Sequence, residues 1–211
     1  MDILESQLDS NIVDDMFIEV CKNLDFDNLL NLQLLSKYNK HLIRKTKWFH
    51  VDVKLKNTSN INEKVNYLAT NFNFMKYILF LCDNITDESV KMLCNVHSLD
   101  LSCCYNITDE SAKMLGNVHS LNLTRCYKIT DESVKMLGNV HTLNLNNYNK
   151  ITDESVKMLG NVHSLDLTFC NITDELVKML GNIHSLKLYG CDKIKDETVK
   201  MLEDKGVVIC R

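Results

Sequence analysis

The chain has 211 residues, 45% apolar and 25% charged, with a formal net charge of −4 at pH 7. That mild balance argues against a nucleic-acid binder working by bulk charge, and with no apolar run long enough to span a bilayer no membrane helix is expected. The acidic start, Met1-Asp2-Ile3-Leu4-Glu5, lacks the apolar segment of a secretory signal, so the nine cysteines read as reduced thiols of a cytoplasmic or nuclear, non-secreted protein.

Residues 1–35 carry eight acids and one lysine, whereas residues 36–56 carry seven basic residues and one acid. Helical spacing is clear in Met16, Phe17, Val20, Cys21 and Leu24. It recurs in Leu29, Leu30, Leu32 and Leu35 behind Asp27 as a cap, and a third short helix holds Tyr38 and Leu42. Three such helices carry more leucine than about forty residues can bury alone, so some surface should dock on the rest of the chain or on a partner.

This stretch resembles the F-box. Ile12-Val13-Asp14-Asp15 stands at the family's LPxE, with Val13 in place of the proline that presets a helix start. Val20 and Leu24 match the first helix, Leu24 to Leu29 the centre, Leu35-Ser36-Lys37-Tyr38 the VsKxw segment, and Trp48 the closing tryptophan. The resemblance implies a helical F-box domain over residues 1–48. It would grip a Skp-type adaptor of a cullin ubiquitin ligase through Ile12, Val13, Val20, Leu24, Leu29 and Leu35. The competing assignment for each of these is the small domain's own core. The basic run Lys37, Lys40, Arg44, Lys45 and Lys47 reads as a solvated face.

Trp48 to Leu55 reads as a first strand, and Asn73 to Cys82 aligns on Asn95 to Cys104 as a degenerate coil. From Ile85 a unit recurs at Ile107, Ile129, Ile151 and Ile172, with a partial sixth from Ile194; most units have 22 residues and one has 21. Such a period marks a solenoid. In the unit from Ile107, Thr108 or Asp109 is placed to cap a helix of about two turns, with Lys113 near its end. Gly116 is expected to supply a left-handed stop. Leu121 and Leu123 alternate with polar residues as a short strand. Ile107, Ala112, Leu115, Val118, Leu121, Leu123 and Cys126 form an inward set that only stacked coils can bury.

The pattern Val118-xx-Leu121-x-Leu123-xx-Cys126-xx-Ile129-Thr130-Asp131 resembles the cysteine-containing leucine-rich repeat, over roughly residues 74–211. The resemblance implies an α/β solenoid over residues 49–211, with parallel strands on the concave face and short helices on the convex face. The near-verbatim part of each unit then builds helix, turn and core edge. What varies is the outward strand face and the loop after it. Its first column is Asp100, Asn122, Asn144, Asp166 and Lys187; its second is Ser102, Thr124, Asn146, Thr168 and Tyr189; its third is Cys103, Arg125, Asn147, Phe169 and Gly190. Such a face is large enough for a standard protein interface. Phe169 and Tyr189 on an otherwise polar face favour target binding over neutral drift of exposed positions.

The other columns read as structural. Cys82, Cys104, Cys126, Cys170 and Cys191 lie one coil apart with no CxxC, as buried thiols, and Tyr148 takes that place in one coil. Cys94 and His97 lack further ligands. His97, His119, His141, His163 and His184 should stand about 5 Å apart on the surface, each lowering its neighbours' proton affinity. The Asp-Glu pair of each ITDE run reads as a solvated capping edge. No catalytic set, nucleotide loop, metal site or cofactor is expected, so the chain is not read as an enzyme. An F-box ahead of such repeats is a known architecture. It implies the substrate-recruiting subunit of a Skp–cullin–F-box ubiquitin ligase, with an unknown target protein on the repeats. The alternative is a stand-alone repeat scaffold whose F-box-like helices cap the solenoid. Gly206 to Arg211 reads as a closing strand with no polar cap.

Overall fold

The computed structural model describes Ile18, Cys21, Leu24 and residues 26–34, 36–148, 151–180 and 182–211. Ile12, Val13, Val20 and Leu35, named above for an adaptor, lie outside these residues. Eight strands form one parallel sheet in chain order: β1 Lys47–Lys54, β2 Asn73–Ile78, β3 Ser98–Asp100, β4 Ser120–Asn122, β5 Thr142–Asn144, β6 Ser164–Asp166, β7 Ser185–Lys187 and β8 Val208–Cys210. Register follows from the repeat, because each side chain meets its own copy. Leu99, Leu121, Leu143, Leu165 and Leu186 pair in turn and are all buried. The inward set from Ile107 to Cys126 is buried as its spacing predicts, and the coils share one continuous core.

The helical side is thinner than expected. Asp109–Ala112, Asp131–Val134 and Asp153–Val156 have four residues each, one turn instead of two. Two of them pass into 3₁₀ segments, Leu115–Asn117 and Lys157–Leu159. In the unit from Ile172, also of 22 residues, the helix Asp174–Met179 reaches six residues, still short of two full turns. Threonine is the cap: Thr108, Thr130 and Thr152 Oγ1 each accept from the backbone N–H two residues on, at 3.2, 3.3 and 3.3 Å.

Gly116 does not have the expected left-handed backbone; among the described glycines only Gly190 and Gly206 have positive φ. Its role is steric. A Cβ there would lie 2.7 Å from the Met136 carbonyl oxygen of the next coil, and one on Gly138 would lie 2.6 Å from that of Met158. The coils approach too closely for any side chain at these points.

At the N-terminal end, helices Phe26–Leu32 and Lys37–Lys45 lead directly into β1. Ser36 caps the second helix, accepting from the Asn39 N–H at 3.0 Å. Trp48 Nε1 donates to the Ile43 carbonyl at 2.8 Å in the core. Arg44 is a latch and not a solvated cation. Its guanidinium donates to Asn71 Oδ1 at 2.8 Å and to the Tyr67 hydroxyl at 3.1 Å, and sits 5.2 Å from the Phe72 ring centroid. Leu29 is fully buried in the core shared with the coils, the place the competing assignment gives it, and Leu24 packs partly buried against that core.

Candidate partner-binding surface

The repeat turns its first aspartate and its threonine into fasteners between coils. Asp109 accepts from Thr130 N–H at 2.9 Å, Thr130 Oγ1 at 2.7 Å and Ser133 Oγ at 2.5 Å, all in the next coil. Asp87 does the same with Thr108 and Ser111, Asp131 and Asp153 bond the following threonine, and Asp174 accepts from the Lys195 N–H. The ITDE edge is therefore bonded from coil to coil and is more than a solvated rim. Burial works to raise the Asp87 and Asp109 carboxyls, but the serine and threonine hydrogen bonds outweigh it and hold both below the usual range. The Lys195 N–H and the Thr198 hydroxyl bring Asp174 down to about 2.

The thiols form a parallel set inside. Cys126 Sγ donates to the Leu101 carbonyl at 3.1 Å and Cys170 Sγ to that of Leu145 at 3.1 Å; burial pushes both thiols up to about 12. The five histidines stack face to face on the surface with centroids 4.4–4.5 Å apart. Desolvation within the stack, then the flanking His141 and His184, lowers the proton affinity of the exposed His163. Among the described residues no three His, Cys, Asp or Glu side chains converge as metal ligands.

The outward strand positions are less free than their sequence columns suggest. Asp100 Oδ1 accepts from the Ser102 N–H at 2.9 Å and its hydroxyl at 2.5 Å. Asn122 accepts in the same way from Thr124 at 3.0 and 2.7 Å, Asn144 from the Asn146 N–H at 2.9 Å, and Asp166 from the Thr168 N–H at 3.0 Å. These are side-chain turns that hold the chain as it leaves the strand. Ser102 and Thr168 are buried beside these turns. Lys187, exposed, reaches to 3.7 Å from Asp166.

The exposed variation lies one residue further on. Arg125 and Phe169 are exposed there, whereas Cys103, in the same column, is buried; Tyr189, in the second column, is exposed too. Phe80 and Leu81 on the degenerate first coil, and Tyr127 stacked on Tyr105 at 5.7 Å, extend this apolar surface. Sequence reasoning passed them over, although the alignment of Asn73–Cys82 on Asn95–Cys104 already put Leu81 at the place of Cys103. Hollows of about 390 Å³, beside Leu55, Ile78, Phe80 and Leu81, and about 190 Å³, beside Phe169 and Gly190, mark the two ends.

Among the described residues no helix is long and apolar enough to cross a membrane. The family described as Leucine Rich repeat matches residues 93–116 and 161–181. No curated protein matches the sequence. A chain in the crystal structure of the Rad7 and Elc1 complex in yeast is similar with a TM-score of 0.58 and 19% identity, covering 74% of this chain. This chain spans 46% of that one. A chain of the TLR13-ssRNA13 complex is similar with a TM-score of 0.52 and 15% identity over 75% of this chain and 24% of its own. With the single parallel sheet and its one-strand coils, these matches give the fold as a leucine-rich repeat solenoid.

Proposed function

We propose that the chain is a non-enzymatic substrate receptor of a Skp–cullin–F-box type ubiquitin ligase. Its N-terminal helices would hold a Skp-type adaptor and its repeats a target protein. A receptor of this kind makes and breaks no bond; it raises the effective concentration of its target beside the transfer machinery. The observation that carries this reading is the F-box-like segment running without a break into the repeat solenoid, with apolar side chains left outside the shared core: Leu34 is 78% and Tyr38 49% exposed. The similarity to a chain of a complex that contains Elc1 supports the same reading.

The burial of Leu29 and the Arg44 latch favour a second reading, in which these helices only cap the first coil of a scaffold. Co-purification with a Skp-type adaptor separates the two. The wild-type chain should form a stoichiometric complex, and Leu34→Asp, at an exposed site, should lose it with an unchanged circular dichroism spectrum. A wild-type chain that elutes alone overturns the receptor reading and leaves the scaffold.

A further inference from the structure

One backbone position is left-handed in every coil from β2 to β7. Leu81, Cys103, Arg125, Asn147 and Phe169 have φ of 56, 59, 58, 66 and 57°, and Gly190 has 65°. All six directly follow the strand turn, and the first five donate their N–H to the next coil, so they form one line across the sheet. Glycine takes this conformation freely and asparagine at little cost; other side chains are strained there. Drift under stability alone should fill such a column with glycine and asparagine. Instead it holds leucine, arginine and phenylalanine, all exposed, at every second coil. Between them stand the buried Cys103 and the half-buried Asn147; Gly190 follows, and the Phe169 ring lies across it so closely that an added Cβ would come 2.3 Å from it. Of the four strained side chains, Leu81, Arg125 and Phe169 project from the surface and Cys103 turns inward.

We propose that this ridge is the target-binding element, and that its ligand is a segment in polyproline II conformation carrying an apolar residue, an acid and an apolar residue at successive three-residue steps. This rests on the reading of the repeats as a target receptor. The spacing comes from the sheet. Two coils separate Leu81 from Arg125 and Arg125 from Phe169, about 9.6 Å each at the usual strand separation. A polyproline II helix brings every third residue to the same side at about 9.3 Å, whereas a β-strand would turn every third residue away. The chemistry comes from the side chains. Arg125 has no ion-pair or hydrogen-bond partner for its guanidinium among the described residues, so its fork is free for a carboxylate. Leu81 and Phe169 each border one of the two hollows. Tyr127, 44% exposed two residues past Arg125, adds an aromatic flank of the kind such helices dock on.

The test uses phage-displayed random dodecapeptides panned on the full chain, followed by fluorescence polarisation of the enriched peptides as synthetic probes. Enriched sequences should carry the acid flanked at three residues by apolar side chains. Arg125→Gly and Phe169→Gly should each weaken binding by at least about tenfold, while Arg125→Gly melts at the same or a higher temperature because its strain is relieved. A merely structural arginine would lower the melting temperature and leave binding alone. No enrichment, enrichment without the spaced acid, or peptides that bind both glycine variants unchanged overturns the proposal. In the last case peptides bind elsewhere on the repeats, and the receptor reading survives without the ridge. Failure to co-purify with an adaptor sinks the receptor reading and leaves the ridge standing.

Discussion

Tyr77 on β2 occupies the place that leucine takes on later strands, between Val53 and Leu99. It is 1% exposed, its hydroxyl finds no hydrogen-bond partner among the described residues, and burial raises its phenol well above the ordinary range. Leaving such a group unsatisfied costs about 1–3 kcal/mol. Tyr77→Phe should therefore be as stable as the wild type or more so by about 1 kcal/mol. Urea melts should show a raised midpoint with an unchanged slope; a lowered midpoint would mean that the hydroxyl is bonded after all. At this scale the sequence shows which residues go inside, because the leucine, isoleucine and cysteine positions recur at a fixed period. It does not show what their polar atoms bond. Nothing in the spacing of Cys126 points to the Leu101 carbonyl, and nothing about arginine announces a φ of 58° at Arg125. The hint was Gly190 in the same column, visible only when the coils are overlaid.

The glycine column sets the spacing between successive helical turns, and it makes one substitution act with opposite signs at two equivalent places. Gly116→Ala would put a Cβ against the Met136 carbonyl of the next coil at 2.7 Å, backbone that cannot yield without parting the coils. Such overpacking costs about 1–3 kcal/mol. Gly160 has nothing within 4 Å and an ordinary right-handed backbone, φ −60°, ψ −15°. There alanine only narrows the unfolded ensemble, and Gly160→Ala should add about 0.4–1 kcal/mol. Guanidinium melts of the two variants side by side check the signs; equal effects would mean that the coils are not held at this separation. The same elements mark the limit of what the repeat discloses. A cap at threonine or aspartate and the parallel strand stack were legible in ITDE and LxL; only the structure assigns the cap to threonine. The helix length was not, because it depends on how much chain the return path consumes. The N-terminal helices were harder still. Their leucines are apolar enough for either a core or an adaptor surface, and only packing sends Leu29 inward while Leu34 stays out.

In a solenoid each coil touches only its neighbours, so the stability of the whole is close to a sum of interface terms, and here several of those terms share one titrating group. Asp87, Asp109 and Asp131 each join one coil to the next, and each is a stronger acid in the fold than in a free chain, its hydrogen bonds outweighing the penalty of burial. As pH falls below about 4, the unfolded chain takes up protons at these groups first. The stability they supply is complete above that value and drains away below it. His163 acts in the same direction at higher pH. Desolvation within the stack and the flanking His141 and His184 lower its proton affinity in the fold, so stability begins to decline as pH drops below about 6.5, the value of a free imidazole. Thermal melts from pH 8 down to 3 should therefore show a shallow loss followed by a steep one. His163→Gln should flatten the shallow part alone. Asp109→Asn should be less stable at neutral pH, by about 1–3 kcal/mol for the lost charge-assisted bonds, and less sensitive to acid. With one central interface weakened, the coils on either side should also melt less cooperatively, broadening the transition. If Asp109→Asn instead keeps a sharp transition and the full acid slope, the aspartate column does not join the coils, and their cohesion lies in the leucine core alone.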